Sequence, residues 1–257
     1  MSTTSTPPAP TPAAVVWDSS LLRYRFSAEH PMAPLRLDLT HRLVEAFGLL
    51  DAPHVRIVEP PVATDEQLAL VHDPEYVAAV RERAATVRLM VFDVDGVLTD
   101  GSLYYGESGE LQKRFNALDG HGLRLLMEGG LTVALMTGRS GPIVARRAAE
   151  LGIAEVVQGV RDKGGALAEL AQRCGVQLNQ TGYMGDDIID LPAMQRAGFA
   201  ASVPNAPGYV SQAAHWVSTQ AGGNGAVREC CDLLLASQGR LGAFLAAPGL
   251  LGPGAIQ

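Results

Sequence analysis

Two carboxylates stand two residues apart at the end of an apolar run, in Asp93-Val94-Asp95-Gly96-Val97-Leu98-Thr99-Asp100-Gly101 after Leu89 to Phe92. Residues two apart in an extended segment point the same way, so Asp93 and Asp95 are brought toward one small space. Two anions there repel unless a cation joins them. A hard dication such as Mg²⁺ suits the pair, because it takes oxygen ligands and keeps waters plus a substrate phosphate. Taken alone, the run also reads as an Asx-rich turn that caps the next element.

Three further groups recur in order. Thr137-Gly138-Arg139 follows the apolar run 131–136, Lys163 opens a helix after 155–157, and Gly185-Asp186-Asp187-Ile188-Ile189-Asp190 follows 182–184. Each has a plain reading: Thr137 as a helix cap, Lys163 as a solvated charge, Asp186 and Asp187 as turn residues. Together, a hydroxyl, an ammonium and a third carboxylate converging on an Asp pair make a phosphoryl-transfer site, a reaction that chiefly needs positioning and charge neutralisation.

The elements that must hold these groups alternate. Apolar runs at 89–92, 131–136, 155–157, 182–184 and 199–203 read as buried strands. Helices are expected at 120–128, 142–151, 163–174, 189–196 and 225–237. That alternation marks an α/β fold with a doubly wound parallel sheet, whose ligands bind at the carboxyl ends of the strands. Residues 103–115 break the pattern: a polar Gly106-Glu107-Ser108-Gly109 between alternating arms predicts a β-hairpin. His215 and Trp216 read as strand packing, Cys230 and Cys231 as helix core.

Composition narrows the function classes. The 257 residues are 47% apolar and 18% charged, a balance that permits a packed core. A formal charge of −7 offers no footprint for a polyanion, so no nucleic-acid partner is expected. Three cysteines without two-residue spacing read as reduced thiols. No stretch has the apolar length of a membrane span, so no membrane partner and a cytoplasmic location are expected. Residues 1–14, rich in Ser, Thr, Pro and Ala, read as a disordered tail, and 241–257, rich in Gly, Pro and Ala, as a flexible one.

The ordered set Asp93 to Asp95, Thr137, Lys163 and Asp186 to Asp190 resembles the four motifs of the haloacid dehalogenase superfamily of aspartyl phosphatases. The resemblance implies that Asp93 attacks phosphorus, Asp95 serves as acid and then base, and Thr137 and Lys163 bind phosphoryl oxygens. It implies Mg²⁺ held by the Asp93 carboxylate, the Asp95 backbone carbonyl and Asp186, with Asp187 and Asp190 supporting them. A dehalogenase lacks the second Asp, so Asp95 points to a phosphatase.

Within that superfamily, Phe115-Asn116, Asp119-Gly120, Gly185 to Leu191, Ala221-Gly222-Gly223 and Gly225 to Glu229 are similar to a capless, tetrameric branch, the 3-deoxy-D-manno-octulosonate 8-phosphate phosphatases. The similarity spans about 87–239, within an expected catalytic domain at 86–240. It implies a homotetramer whose hairpins join in an intersubunit barrel and help close a neighbour's site. A sugar-acid phosphate carries a carboxylate, and the resemblance nominates Arg124, Arg139 and Arg147 as cations, with Asn116, Ala117, Leu118, Asp119 and Gly120 along the sugar. Leu118 and Asn224 depart from it, standing where the branch often carries Arg. A nine-carbon sialic-acid-type 9-phosphate is the alternative substrate, and a non-catalytic fused assembly module the alternative role.

Residues 15–83 form a separate segment, with a strand at 15–17 and a helix bearing Leu35, Leu39, Leu43, Ala46 and Phe47 on one face. A second helix is expected from Thr64, restarting at Asp73-Pro74. Tyr24 to Met32, Val58-Glu59-Pro60 and Leu70 to Tyr76 resemble the amino-terminal stretch of the acetoin-utilisation branch of the histone deacetylase family. That family's zinc ligands and paired histidines lie far downstream of such a stretch, and the six histidines here include no adjacent pair. The segment therefore reads as an incomplete α/β piece, too small to bury its apolar surface.

Overall fold

The computed structural model describes residues 13–17, 34–58, 64–68, 70–107 and 109–245. The chain divides into two compact units, residues 1–68 and 69–257. In the first, β1 (Ala13–Val16) pairs in parallel with β2 (Val55–Val58) across α1 (Pro34–Ala46), and the short α2 (Asp65–Leu68) follows. Ala13 and Ala14, expected in the tail, pair with Val55 and Arg56. Along and just beyond α1, Leu39, Leu43 and Phe47 stay exposed, as expected of a piece with too little chain to cover them. Much of the deacetylase-like stretch, including Tyr24 to Met32, lies outside the described residues.

The second unit begins with α3 (Pro74–Thr86), where Asp73 accepts the Glu75 N–H and Pro74 supplies the fixed φ of a first helical turn. Although the sequence segmentation places most of this helix in the first segment, its Val80 and Ala84 are buried in the core of the second unit and the Arg83 side chain donates to the Gly198 carbonyl. The chain then runs β3 (Leu89–Phe92), β4 (Tyr104–Gly106), β5 (Gly109–Gln112), α4 (Ala117–Glu128), β6 (Thr132–Met136), α5 (Pro142–Leu151) and β7 (Glu155–Val157). It continues through α6 (Lys163–Arg173), β8 (Thr181–Met184), α7 (Leu191–Arg196), β9 (Phe199–Ser202), α8 (Gly208–Ser211), β10 (Trp216–Val217), α9 (Ala226–Ser237) and α10 (Leu241–Leu245). Leu241 and Phe244 of α10 pack on the core, so the expected flexible tail starts with a helix.

Six parallel strands form one sheet in the order β10-β9-β8-β3-β6-β7, and β4 and β5 form a separate antiparallel hairpin. Every residue of β3 is buried. Met90 and Phe92 face one core layer with side chains of α3, α4, α5 and α9, while Leu89 and Val91 face the other with those of α6, α7 and α8. That two-sided burial is why the strand reads as an unbroken apolar run rather than an alternating one. Winding runs outward from β3 through β6 to β7, and from β8 through β9 to β10. The switch point therefore lies at the carboxyl end of β3. Among the described residues, no helix is long and apolar enough to cross a membrane.

Candidate active site

Backbone bonds draw the strand ends together: the Asp93 N–H donates to Met184 O at 2.9 Å, and the Thr137 N–H to Val157 O at 2.9 Å. Past Asp93 the chain turns at Gly96, whose φ of +96° favours glycine. A Cβ there would lie 2.0 Å from Asp186 Oδ2, so glycine also admits the third carboxylate against the first loop.

Around that contact the acids gather. Lys163 Nζ lies 2.8 Å from Asp93 Oδ1 and 2.6 Å from Asp190 Oδ1, and its side chain is 1% exposed. Asp190 Oδ1 also accepts the Tyr183 hydroxyl at 2.7 Å, and its Oδ2 accepts the Asp186 and Asp187 N–H groups, each at 3.1 Å. One carboxylate oxygen from each of Asp93, Asp186 and Asp190 lies within 4.8 Å of the others. Asp187 accepts the Ile188 N–H and caps the turn that carries Asp190.

One ammonium cannot neutralise three clustered carboxylates. Burial, then the charge of Asp190, raises the Asp93 pKa to about 8 against the opposing pull of Lys163. Burial, then Asp190 and Asp187, raises that of Asp186 to about 7. Burial pulls the Lys163 pKa down, but the Asp93 and Asp190 charges outweigh it and the net shift is upward. Asp186 Oδ1 is buried with no hydrogen-bond partner. An acid excess and an orphaned carboxylate oxygen fit a hard dication. Asp190 joins this cluster, but its two oxygens already take four donors, which makes it an anchor for Lys163 and the Asp186 loop. The Asp95 carboxylate lies elsewhere, and only its backbone carbonyl was expected at a metal.

On the other side, Asp95 Oδ1 is bonded to Lys113, and its Oδ2 accepts from Thr137 Oγ1 at a long 3.4 Å. Lys113 lies 2.8 Å from Glu110 Oε1 and its side chain is 1% exposed. The sequence reading missed Lys113, which sits beside Gln112 and Arg114 on a polar hairpin arm with no motif to mark it. Arg139 bonds the Tyr105 hydroxyl and lies 3.8 Å from Glu110.

The residues expected along the sugar divide. The Asn116 side chain caps α4 by accepting the Leu118 N–H at 2.8 Å, while Ala117 and Leu118 are exposed at the start of the helix. Asp119 is a correction: both of its oxygens face α9, accepting the Gly225 and Arg228 N–H groups at 3.2 and 2.9 Å, so it ties two helices together. Arg147 packs over the Phe115 ring, and a Cβ on Gly120 would meet its guanidinium at 2.3 Å. Arg124 donates to Glu150 O at 2.6 Å, which fixes it against the end of α5.

Residues 145–229 match the family model of haloacid dehalogenase-like hydrolases. The 3-deoxy-D-manno-octulosonate 8-phosphate phosphatase of Escherichia coli (strain K12) is 42% identical over 164 residues, covering 64% of this chain and 87% of that protein. The chain belongs to that phosphatase family. A Haemophilus influenzae member is 41% identical over 172 residues, 67% of this chain and 96% of its own length. The Moraxella catarrhalis phosphatase, crystallised with magnesium, phosphate and 3-deoxy-D-manno-octulosonate, superposes with a TM-score of 0.64 at 42% identity, covering 68% of this chain and 98% of that one. The cobalt-bound H. influenzae enzyme gives 0.62 at 41%, covering 63% and 95%. These phosphatase relatives lend no support to the deacetylase-like reading of residues 15–83.

Proposed function

We propose that this chain is a Mg²⁺-dependent phosphatase that converts 3-deoxy-D-manno-octulosonate 8-phosphate and water into the free sugar acid and inorganic phosphate. The carrying observation is the cluster of buried Asp93, Lys163 and Asp190 with half-buried Asp186 at the strand ends, within a family whose members bear that substrate's name. Asp93 attacks phosphorus as the ester P–O bond breaks, giving an aspartyl phosphate. Asp95 delivers its proton to the departing alkoxide, then takes one from the water that attacks phosphorus and frees Asp93. Lys163 and Thr137 hold the phosphoryl oxygens. The Asp93 carboxylate, the Asp95 carbonyl and Asp186 would hold Mg²⁺, which supplies the charge that keeps Asp93 ionised and offsets negative charge at phosphorus. Arg139 and Arg147, with Asn116, Ala117, Leu118 and Gly120, are the candidate sugar contacts.

The same reading takes 86–240, together with α3 packed on its core, as the catalytic domain, and leaves the residues before Ala69 as a partial segment outside it. It places the enzyme in the cytoplasm as a homotetramer, with the exposed Leu103, Tyr104, Tyr105 and Leu111 of the hairpin as the joining surface. The test is phosphate release from the octulosonate 8-phosphate and from a nine-carbon sugar acid 9-phosphate, with and without Mg²⁺. The 8-phosphate should be preferred, and Asp93→Asn should lower turnover about a thousandfold or more. Failure of the wild-type chain on every sugar phosphate would refute the proposal; preference for the 9-phosphate would refute the substrate.

A further inference from the structure

We propose that Lys113 is the positioning residue that fixes the general acid Asp95, so that the chain's own hairpin completes its own catalytic site. This rests on the phosphatase reading and deepens it.

The charges around the site sort into two groups. Lys163 is shared by Asp93 and Asp190, and Lys113 by Asp95 and Glu110. Each lysine side chain is 1% exposed, and an ammonium is buried at a tolerable cost only where carboxylates pair with it. The first group comes from the segments that follow β3, β7 and β8. The second comes from the hairpin: Glu110 lies in β5 and Lys113 follows its last residue, Gln112.

Asp95 depends on that second group. It follows the nucleophile by two residues, yet its side chain is held by partners other than those of Asp93. A general acid has to reach the leaving oxygen at hydrogen-bond distance. Thr137 holds one Asp95 oxygen only by a long 3.4 Å bond, whereas Lys113 grips the other directly. Glu110 pairs with the same ammonium at 2.8 Å, and Tyr105 and Glu110 also meet Arg139, two residues after Thr137. Three hairpin side chains thus reach the body of their own subunit, a role separate from any contact with a neighbouring copy.

The reaction makes this testable, because Asp95 matters most when the leaving group needs a proton. In full-length Lys113→Met, kcat/KM for the octulosonate 8-phosphate should fall about 10- to 100-fold. For p-nitrophenyl phosphate, whose phenolate leaves without much help, it should fall no more than a few-fold. Lys113→Arg should recover much of the difference. Equal losses on both substrates would overturn the proposal, as would a rise in KM for the sugar phosphate with kcat unchanged. If the Met variant does not fold, Glu110→Gln carries the test: a selective loss on the sugar phosphate supports the inference and an unchanged ratio refutes it. If wild type cleaves the aryl ester but no sugar phosphate, the substrate proposal fails separately. A series of aryl phosphates then decides the Lys113 question: the variant's rates should fall more steeply than wild type's as the leaving group becomes more basic, and parallel slopes would sink it.

Discussion

Replacing Lys163 by Met removes the one ammonium shared by Asp93 and Asp190 while keeping a side chain of similar length. Lys163, Asp93 and Asp190 are 1%, 4% and 0% exposed, so water cannot substitute for the lost charge. Breaking a buried pair by deleting one partner typically costs about 3–5 kcal/mol. Asp190 keeps its bonds from the Tyr183 hydroxyl and two N–H groups, so the deficit falls mainly on Asp93, which can take a proton. That relief argues for the lower end, about 3 kcal/mol. A domain of this size loses roughly 2–4 °C of melting temperature per kcal/mol, which gives a drop of about 6–12 °C. Thermal and urea melts of wild type, Lys163→Met, Asp190→Asn and the double variant would measure it. The double variant should be less destabilised than the sum of the singles, because the second change removes an acid that the first left unpaired. A Lys163→Met protein that melts within about 2 °C of wild type, or strictly additive effects, would refute the claim that this pair holds the site together.

Two other predictions concern the dication and the loop that carries Asp95. Burial raises the Asp93 and Asp186 pKa values to about 8 and about 7, so the folded state holds these protons more tightly than the unfolded one. Their stabilising contribution is complete below the ordinary carboxylate range and is lost as pH rises through about 7 to 8. Because Mg²⁺ must displace those protons, its gain in melting temperature over an EDTA control should grow from pH 6 to pH 8; a gain independent of pH would count against it. A Cβ at Gly222 would lie 1.7 Å from the Gly96 carbonyl oxygen, a backbone atom that no side-chain rotation can move aside. Gly222→Ala should therefore cost about 2 kcal/mol or more and lower kcat/KM about tenfold or more, measured by urea melts and steady-state rates; a near-neutral result would show that the two loops can separate freely.

The strands from β3 to β9 in the parallel sheet were legible because a sheet buried on both faces needs continuous apolar runs, and three of those runs lead straight into Asp93, Thr137 and Gly185; their order across the sheet was not legible. The contacts that assign jobs to the acids were not. Asp190 meets Lys163 across 27 positions, and Asp119 meets Gly225 across 106, so no local pattern says that one anchors an ammonium and the other caps a distant helix. Asp119 shows the hazard most clearly. Its place beside Gly120 suits a sugar loop, yet its side chain points into the protein, where two backbone N–H groups need an acceptor. The boundary before α3 was hidden for a similar reason, since the burial of Val80 and Ala84 depends on partners far away in sequence.

Asp190 and Asp186 show why adjacent acids of one motif separate in role. Both sit in the loop after β8, and both approach Asp93. Asp190 has its lone pairs filled by Lys163, Tyr183 and two N–H groups, so a cation placed beside it would have to break bonds already made. Asp186 keeps an oxygen buried and unbonded, a state that costs free energy unless something positive restores the balance. The saturated acid is therefore suited to holding the loop, and the unsaturated one to binding the ion. A count of acceptors against donors separates them where their shared residue type and spacing cannot.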